Sequence, residues 1–194
     1  MTAGGPGREP PGRPVLHLLV CGSPLARDVH KLLRPALAEG WDVWVVSSPD
    51  GAKFLDVSAA ETLTGHAVRS RYRHPSESGD LPVADVVAVV PASCNTVNKW
   101  AAGICDTLVL GLLAEALGRG LPIVAAPYTN WAHAAHPAFA ESVAKLRGWG
   151  VSVLYGDDFY RFHDPGRGYL TQPLFPWQRV WEEVTSRRAV TCPP

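Results

Sequence analysis

The chain has 194 residues, 46% of them hydrophobic, a length and composition that fit one domain burying a single core. Eighteen Lys and Arg balance eighteen Asp and Glu, so no net field would draw the chain to nucleic acid or to an anionic membrane, and charged ligands must be met by local clusters. Cys21, Cys94, Cys105 and Cys192 form no CxxC pair, which argues against a zinc site or a disulfide framework, and the apolar runs are too short to span a bilayer. The expectation is a cytoplasmic protein without a bound metal.

Residues 1–14 are rich in Gly and Pro, carry arginines and lack an apolar stretch, which predicts a disordered leader. Val15 to Cys21 is an apolar run broken at His17 and delivered to Gly22-Ser23-Pro24, the pattern of a buried parallel strand that ends at a helix. Leu25 to Glu39 places Leu25, Val29, Leu32, Leu33, Ala36 and Leu37 at helical spacing, with Gly40 as the stop. Asp42 to Ser47 reads as a second strand and Pro49 as the opening of a short helix to about Val57. The polar stretch from Gly65 to Pro82 reads as a long loop with one short strand near Val68.

Ala84 to Val90 is a third apolar strand closed by Pro91. Helices follow from Cys94 to Ala102 and from Asp106 to Leu117, then a strand from Pro122 to Ala126, a helix from Pro137 to Arg147 and a strand from Val151 to Leu154. Alternation of strands and helices predicts an α/β fold: a single Rossmann-like, flavodoxin-like, doubly wound parallel sheet over residues 15–155. Residues 156–194 form an aromatic, Pro-rich extension read as covering the site or a neighbouring subunit, with an exposed last helix marked by Glu182, Glu183, Arg187 and Arg188. Ligands of such sheets sit beyond the carboxyl ends of the strands, so Gly22-Ser23, Ser47-Ser48, residues 91–96 and residues 127–130 should share one rim.

Gly22 and Ser23 can bring backbone N–H groups and a hydroxyl to a phosphate, or simply make a tight turn. The G-x-G-x-x-G spacing is absent, and the second strand ends in Ser47 and Ser48 rather than in a carboxylate. A mononucleotide therefore fits better than NAD or FAD. The run from Pro91 to Asp106, PASCNTVNKWAAGICD, puts Ser93, Asn95 and Thr96 where a buried strand gives way to a helix. There, hydroxyls and a carboxamide can bind a flavin, or cap the helix.

That run resembles the Pro-Ala-Ser-Ala-Asn-Thr motif, followed by Gly-Ile/Leu-Cys-Asp-Asn, of the homo-oligomeric flavin-containing cysteine decarboxylases, with Cys94 for Ala and Thr107 for Asn. The resemblance extends from about Val15 to Leu154. It implies FMN bound between subunits of a trimer or a multiple of three, and a small-molecule or peptide substrate carrying a cysteine. The cofactor-binding residues it implies are Gly22, Ser23, Ser47, Ser48, Ala92, Ser93, Asn95, Thr96, Cys105 and Asp106.

Two departures stand out. Where the family has Pro-x-Met-Asn-x-x-Met-Trp, this chain has Pro127-Tyr-Thr-Asn130-Trp-Ala-His-Ala134, which keeps the proline and Asn130 and places Thr129 in the substrate region. The family's catalytic histidine falls at Glu77, with His74 three residues earlier; the candidate catalytic residues are therefore His74, if the loop shifts, and Glu77, if burial raises its pKa. Arg69, Arg71 and Arg73 alternate, and Arg73 is the candidate to grip a substrate carboxylate or phosphate. His133 and His136 lie one helical turn apart, a spacing open to metal ligation, although pocket-rim polar residues explain them more simply. Two alternatives to a cysteine decarboxylase remain: a non-catalytic FMN-binding regulatory or scaffold protein that has lost the histidine, and a flavin prenyltransferase-like enzyme.

Overall fold

The computed structural model describes residues 12–72, 81–156 and 158–191. Five strands, β1 (Val15–Val20), β2 (Asp42–Ser47), β3 (Val86–Ala92), β4 (Ile123–Pro127) and β5 (Ser152–Val153), pair in parallel in the order β2-β1-β3-β4-β5. This is the flavodoxin-like order, in which the chain reverses direction across the sheet between β1 and β3.

The strands are near-continuous apolar runs because both faces of the sheet are covered. Leu16, Leu18 and Val20 of β1 pack with Val86, Ala88 and Val90 of β3 under α1 (His30–Ala38), α2 (Val57–Thr64) and the last helix. Leu19, Cys21, Val87 and Val89 face the opposite way, under α3 (Cys94–Ala101) and α4 (Leu108–Gly118). Between β4 and β5 run α5 (Trp131–Ala134) and α6 (Pro137–Gly148), and the chain closes with α7 (Gly168–Thr171) and α8 (Trp177–Thr191).

Several elements depart from the sequence expectations, each for a local reason. The first predicted helix is split: Ser23 Oγ accepts the Leu25 N–H at 3.3 Å and tightens Pro24–Asp28 into a 3-10 turn before α1 begins. After β2 only Gly51–Lys53 makes a 3-10 turn, and the helix starts later, where Asp56 Oδ1 accepts the Ala59 N–H at 3.0 Å, and ends at Gly65 with φ +74°. The short strand expected near Val68 is a single bridge between Arg69 and Val46 on the free edge of β2. The last helix is exposed on one side only. Val180, Trp181 and Val184 recur at the 3.6-residue period and are buried against α1 and the sheet, while Glu182 and Ser186 face solvent. Much of the C-terminal segment is thus core: Tyr160, Phe175 and Trp177 join the same apolar cluster. Among the described residues, no helix is long and apolar enough to cross a membrane.

Candidate functional site

Parallel strands bring the four polar clusters to one edge, where they line a cleft with two lobes. One lobe, ≈ 450 Å³, is bounded by Gly22, Ser23, Cys94, Asn98, Thr129 and Asn130, with Tyr128, His133 and His163. The other, ≈ 330 Å³, is bounded by Ser48, Pro49, Asp50, Thr96, Lys99 and Thr107. Gly22, Ser93 and Asn95 belong to both, so the two form one continuous site of the size small ligands use. A larger groove of ≈ 640 Å³ between α1 and α2 is bounded by helix residues such as Leu33, Leu55, Ala60 and Leu63, away from the strand ends. The strand-end cleft is the candidate because the sheet's topology directs ligands there.

The corner between β3 and α3 is organised by a hydroxyl chain. Ser93 Oγ accepts the Thr96 N–H at 3.1 Å and lies 2.9 Å from Thr96 Oγ1, whose proton points to the buried Cys21 Sγ at 3.2 Å. Ser93 and Thr96 therefore serve the helix cap, and burial pushes the Cys21 thiol up from its ordinary value. The first N–H groups of α3, on Cys94 and Asn95, have no acceptor within the helix and open on the cleft with the exposed Asn95 side chain. Asn98 lines the cleft one turn on. Its Nδ2 rests on Cys94 Sγ at 3.7 Å, while its buried Oδ1 has no partner among the described residues.

Across the cleft, Asn130 caps α5 by accepting the His133 N–H at 2.9 Å, and Thr129 Oγ1 lies 3.4 Å from His133 Nδ1. The C-terminal segment reaches back here. The Trp131 N–H donates to the His163 carbonyl at 2.9 Å, and the His163 ring packs beside Tyr128 at 5.1 Å between centroids. The Tyr128 hydroxyl in turn donates to the Gly168 carbonyl.

Of the residues the sequence singled out, Gly22, Ser23, Ser48, Ser93, Asn95, Thr96, Thr129 and Asn130 meet at the cleft. Ser47 is buried and Ala92 nearly so, and neither lines it. Cys105 is exposed, and Asp106 is ion-paired to Lys99, one step behind the lobe that Lys99 borders. His74, Glu77 and Arg73 lie outside the described residues. The two histidines of the metal alternative do different things: His133 lines the cleft, whereas His136 Nδ1 accepts the Ala138 N–H at 3.2 Å and caps α6. Arg69 lies over the Trp44 ring at 6.0 Å. Tyr128 lies in the 127–130 cluster expected on the rim, whereas sequence reading missed Asn98, Lys99 and His163 as lining residues; Asn98 and Lys99 follow the motif by helical spacing, but nothing local marks His163.

A doubly wound parallel sheet with a polar strand-end cleft and a helix N-terminus opening on it defines a Rossmann-like α/β domain with its ligand cleft at the carboxyl ends of the strands. The chain belongs to the Flavoprotein family, whose profile matches residues 8–187. It is 32% identical over 142 residues to the coenzyme A biosynthesis bifunctional protein CoaBC of Thermococcus kodakarensis, covering 71% of this chain and 35% of that protein. The chain spans about a third of the length of the curated relatives it matches. Among solved structures, the FMN-dependent cysteine decarboxylase SpaF aligns with a TM-score of 0.61 at 26% identity, over 73% of this chain and 83% of that one. The FMN-dependent cysteine decarboxylase TvaF from thioviridamide biosynthesis shares the fold, with a TM-score of 0.68 at 22% identity over 92% and 99% of the two chains.

Proposed function

We propose that the chain binds FMN in the strand-end cleft and acts by oxidative decarboxylation on a ligand ending in cysteine, either a peptide C-terminus or a pantetheine-linked cysteine. The carrying observation is the convergence of Gly22, Ser23, Ser48, Ser93, Asn95 and Thr96 on one cleft whose partner wall is Thr129 and Asn130. The buried Asn98 Oδ1 supports a flavin, because a ring N–H would satisfy an acceptor that has no donor among the described residues. Membership of the Flavoprotein family and likeness to SpaF support the same reading.

Bound FMN would supply a two-electron oxidant. The chain's own residues would hold it: small residues and hydroxyls at Gly22, Ser23 and Ser48 for the phosphate end, and the α3 N-terminus with Asn95 and Asn98 for the ring. Thr129, Asn130 and Arg73 would hold the substrate, with His74 or Glu77 as the base. The exposure of Asn95 and of this face suits a site completed by a second copy, and a homotrimer is proposed on that ground.

Purified protein should be yellow, release FMN on denaturation and elute as a trimer on gel filtration. A peptide ending in cysteine should lose CO2 and two hydrogens by mass spectrometry, and His74→Ala or Glu77→Gln should abolish that loss according to which is the base. A colourless protein that does not take up FMN overturns the proposal. FMN retained with every cysteine ligand unchanged would select a non-catalytic flavin binder instead.

A further inference from the structure

The groove of ≈ 640 Å³ between α1 and α2 lies outside the strand-end cleft and combines an apolar floor with a cationic wall. Leu33, Leu55, Ala60 and Leu63 form the floor. Along the α1 wall stand Arg27, His30 and Arg34, with both arginines exposed. Neither guanidinium has a hydrogen bond or ion pair among the described residues, and the acids of these elements are engaged elsewhere. Asp28 is bound to Lys31 at 3.1 Å, Asp56 Oδ1 caps α2 on the Ala59 N–H at 3.0 Å, and Glu61 Oε1 accepts the Val68 N–H at 3.0 Å. His30 lies between the arginines and donates its Nδ1 proton to the Arg27 carbonyl at 3.2 Å.

The spacing of the cations selects the shape of the ligand. Arg27 and Arg34 are seven residues apart in sequence, roughly 10–12 Å along the axis. They do not converge on one point, as the donors around a lone phosphate would. They match carboxylates two turns apart on a helix laid between α1 and α2, whose apolar side chains at i, i+3, i+4 and i+7 would meet the floor. An acidic helix with one apolar face satisfies floor and wall together. The groove also adjoins the cleft, because Arg27 lies in the 3-10 turn whose Pro24 lines the lobe bounded by Thr129 and Asn130. The five residues of that turn span about 10 Å, the reach of about three residues of extended chain.

We propose that the groove holds an acidic amphipathic segment of a peptide substrate, upstream of the cysteine that enters the cleft. The substrate rests on the proposed function, and within it the groove selects a peptide over a pantetheine-linked cysteine, which has no such segment. Binding of an acidic helix to the groove does not depend on that reading.

Two measurements on the purified protein test this. The first uses a fluorescein-labelled amphipathic peptide of Leu, Ala and Glu without cysteine, and the same peptide with Lys in place of Glu. Anisotropy should show binding of the acidic peptide alone, weakening as salt rises. Arg27→Glu combined with Arg34→Glu should weaken it about tenfold or more, Leu63→Asp should weaken it as well, and Arg27→Lys with Arg34→Lys should keep most of it. Circular dichroism unchanged from the native chain establishes that each variant is folded. Equal binding of the two peptides, or an unchanged affinity in the charge-reversed variant, overturns the groove as the site. The second compares decarboxylation of a pentapeptide ending in cysteine with that of the acidic peptide extended by the same pentapeptide. The longer peptide should have a KM about tenfold lower at equal kcat, and the charge-reversed variant should raise that KM while leaving the pentapeptide unaffected. Equal KM values for the two peptides in the native protein overturn the substrate assignment and leave the decarboxylase reading intact. If neither peptide loses CO2 while the cysteine-free acidic peptide still binds, the reading of function falls, the substrate assignment falls with it, and the groove stands as a site for acidic helices.

Discussion

The indole N–H of Trp181 donates to Glu39 Oε1 at 2.7 Å, joining residues 142 positions apart, and its ring meets Trp41 edge-on at 5.4 Å between centroids. The contact makes α8 part of the core face that covers β1 and β3, where Trp181 is 2% exposed. Trp181→Ala should therefore cost about 3–5 kcal/mol, the range for emptying a buried aromatic site. Glu39→Gln, which keeps an acceptor, should cost about 1 kcal/mol. Urea denaturation midpoints at constant slope give both values; a loss near zero for Trp181→Ala would show that the C-terminal helix is an appendage and not core.

The three cysteines among the described residues should separate by reactivity. Cys105 is exposed, Cys94 is half-buried with its thiol pushed up by burial, and Cys21 is fully buried with its thiol pushed up likewise. The thiolate is the reacting form and must also be reached. Iodoacetamide at neutral pH followed by peptide mapping should label Cys105 first, Cys94 more slowly, and Cys21 only on unfolding. Bound flavin should slow Cys94 further, because Cys94 lines the cleft, and leave Cys105 unaffected.

What the sequence made legible follows from how local each signal is. The first four strands are largely apolar runs that end within two residues of Gly, Ser or Pro, and β2 matches its expected bounds, whereas β5 is only Ser152–Val153; the corner at Ser93 could be read because strand, cap and motif are contiguous. The start of α2 was misplaced because Pro49 is an obvious opener, whereas the effective signal was the Asp56 cap seven residues later. Charges at Glu182, Glu183, Arg187 and Arg188 drew attention to one side of α8 and away from the Val180, Trp181 and Val184 stripe. The extension was expected at the site, but His163 itself was not marked, since nothing in its local sequence shows that the Asn130–His163 bridge and the Tyr128–Gly168 hydrogen bond bring that part of the segment to the cleft.

His17 sits inside β1 at 6% exposure, with Nε2 lacking a partner among the described residues, and burial holds its pKa below the ordinary 6.5. The folded state thus keeps His17 neutral where the unfolded chain would protonate it. As pH falls below about 6.5 the unfolded state binds the extra proton, so stability declines down to the folded-state pKa and then levels off. Each unit of depression is worth about 1.4 kcal/mol. Thermal unfolding between pH 8 and pH 5 should show this loss in the native chain and a flatter profile in His17→Gln; equal slopes would remove His17 as the cause.

The shape of the cleft depends on how closely the turn after β2 can approach the end of β1. A Cβ on Gly51 would stand 2.3 Å from the Val20 carbonyl oxygen, which already accepts the Ser48 N–H at 2.8 Å and cannot move without breaking that bond. A Cβ on Gly22 would stand 2.9 Å from Asp50 Cβ, on an exposed residue better able to shift. Gly51→Ala should therefore lose about 1–3 kcal/mol of stability, the usual cost of overpacking, and Gly22→Ala less. Both push the loop bearing Ser48 and Asp50 outward, so both should lower the fraction of protein purified with flavin, in the same order. Denaturation midpoints and the ratio of flavin to protein absorbance check the two effects together. If Gly51→Ala proved as stable and as yellow as the native chain, the close seating of this turn on β1 would have no part in forming the cleft.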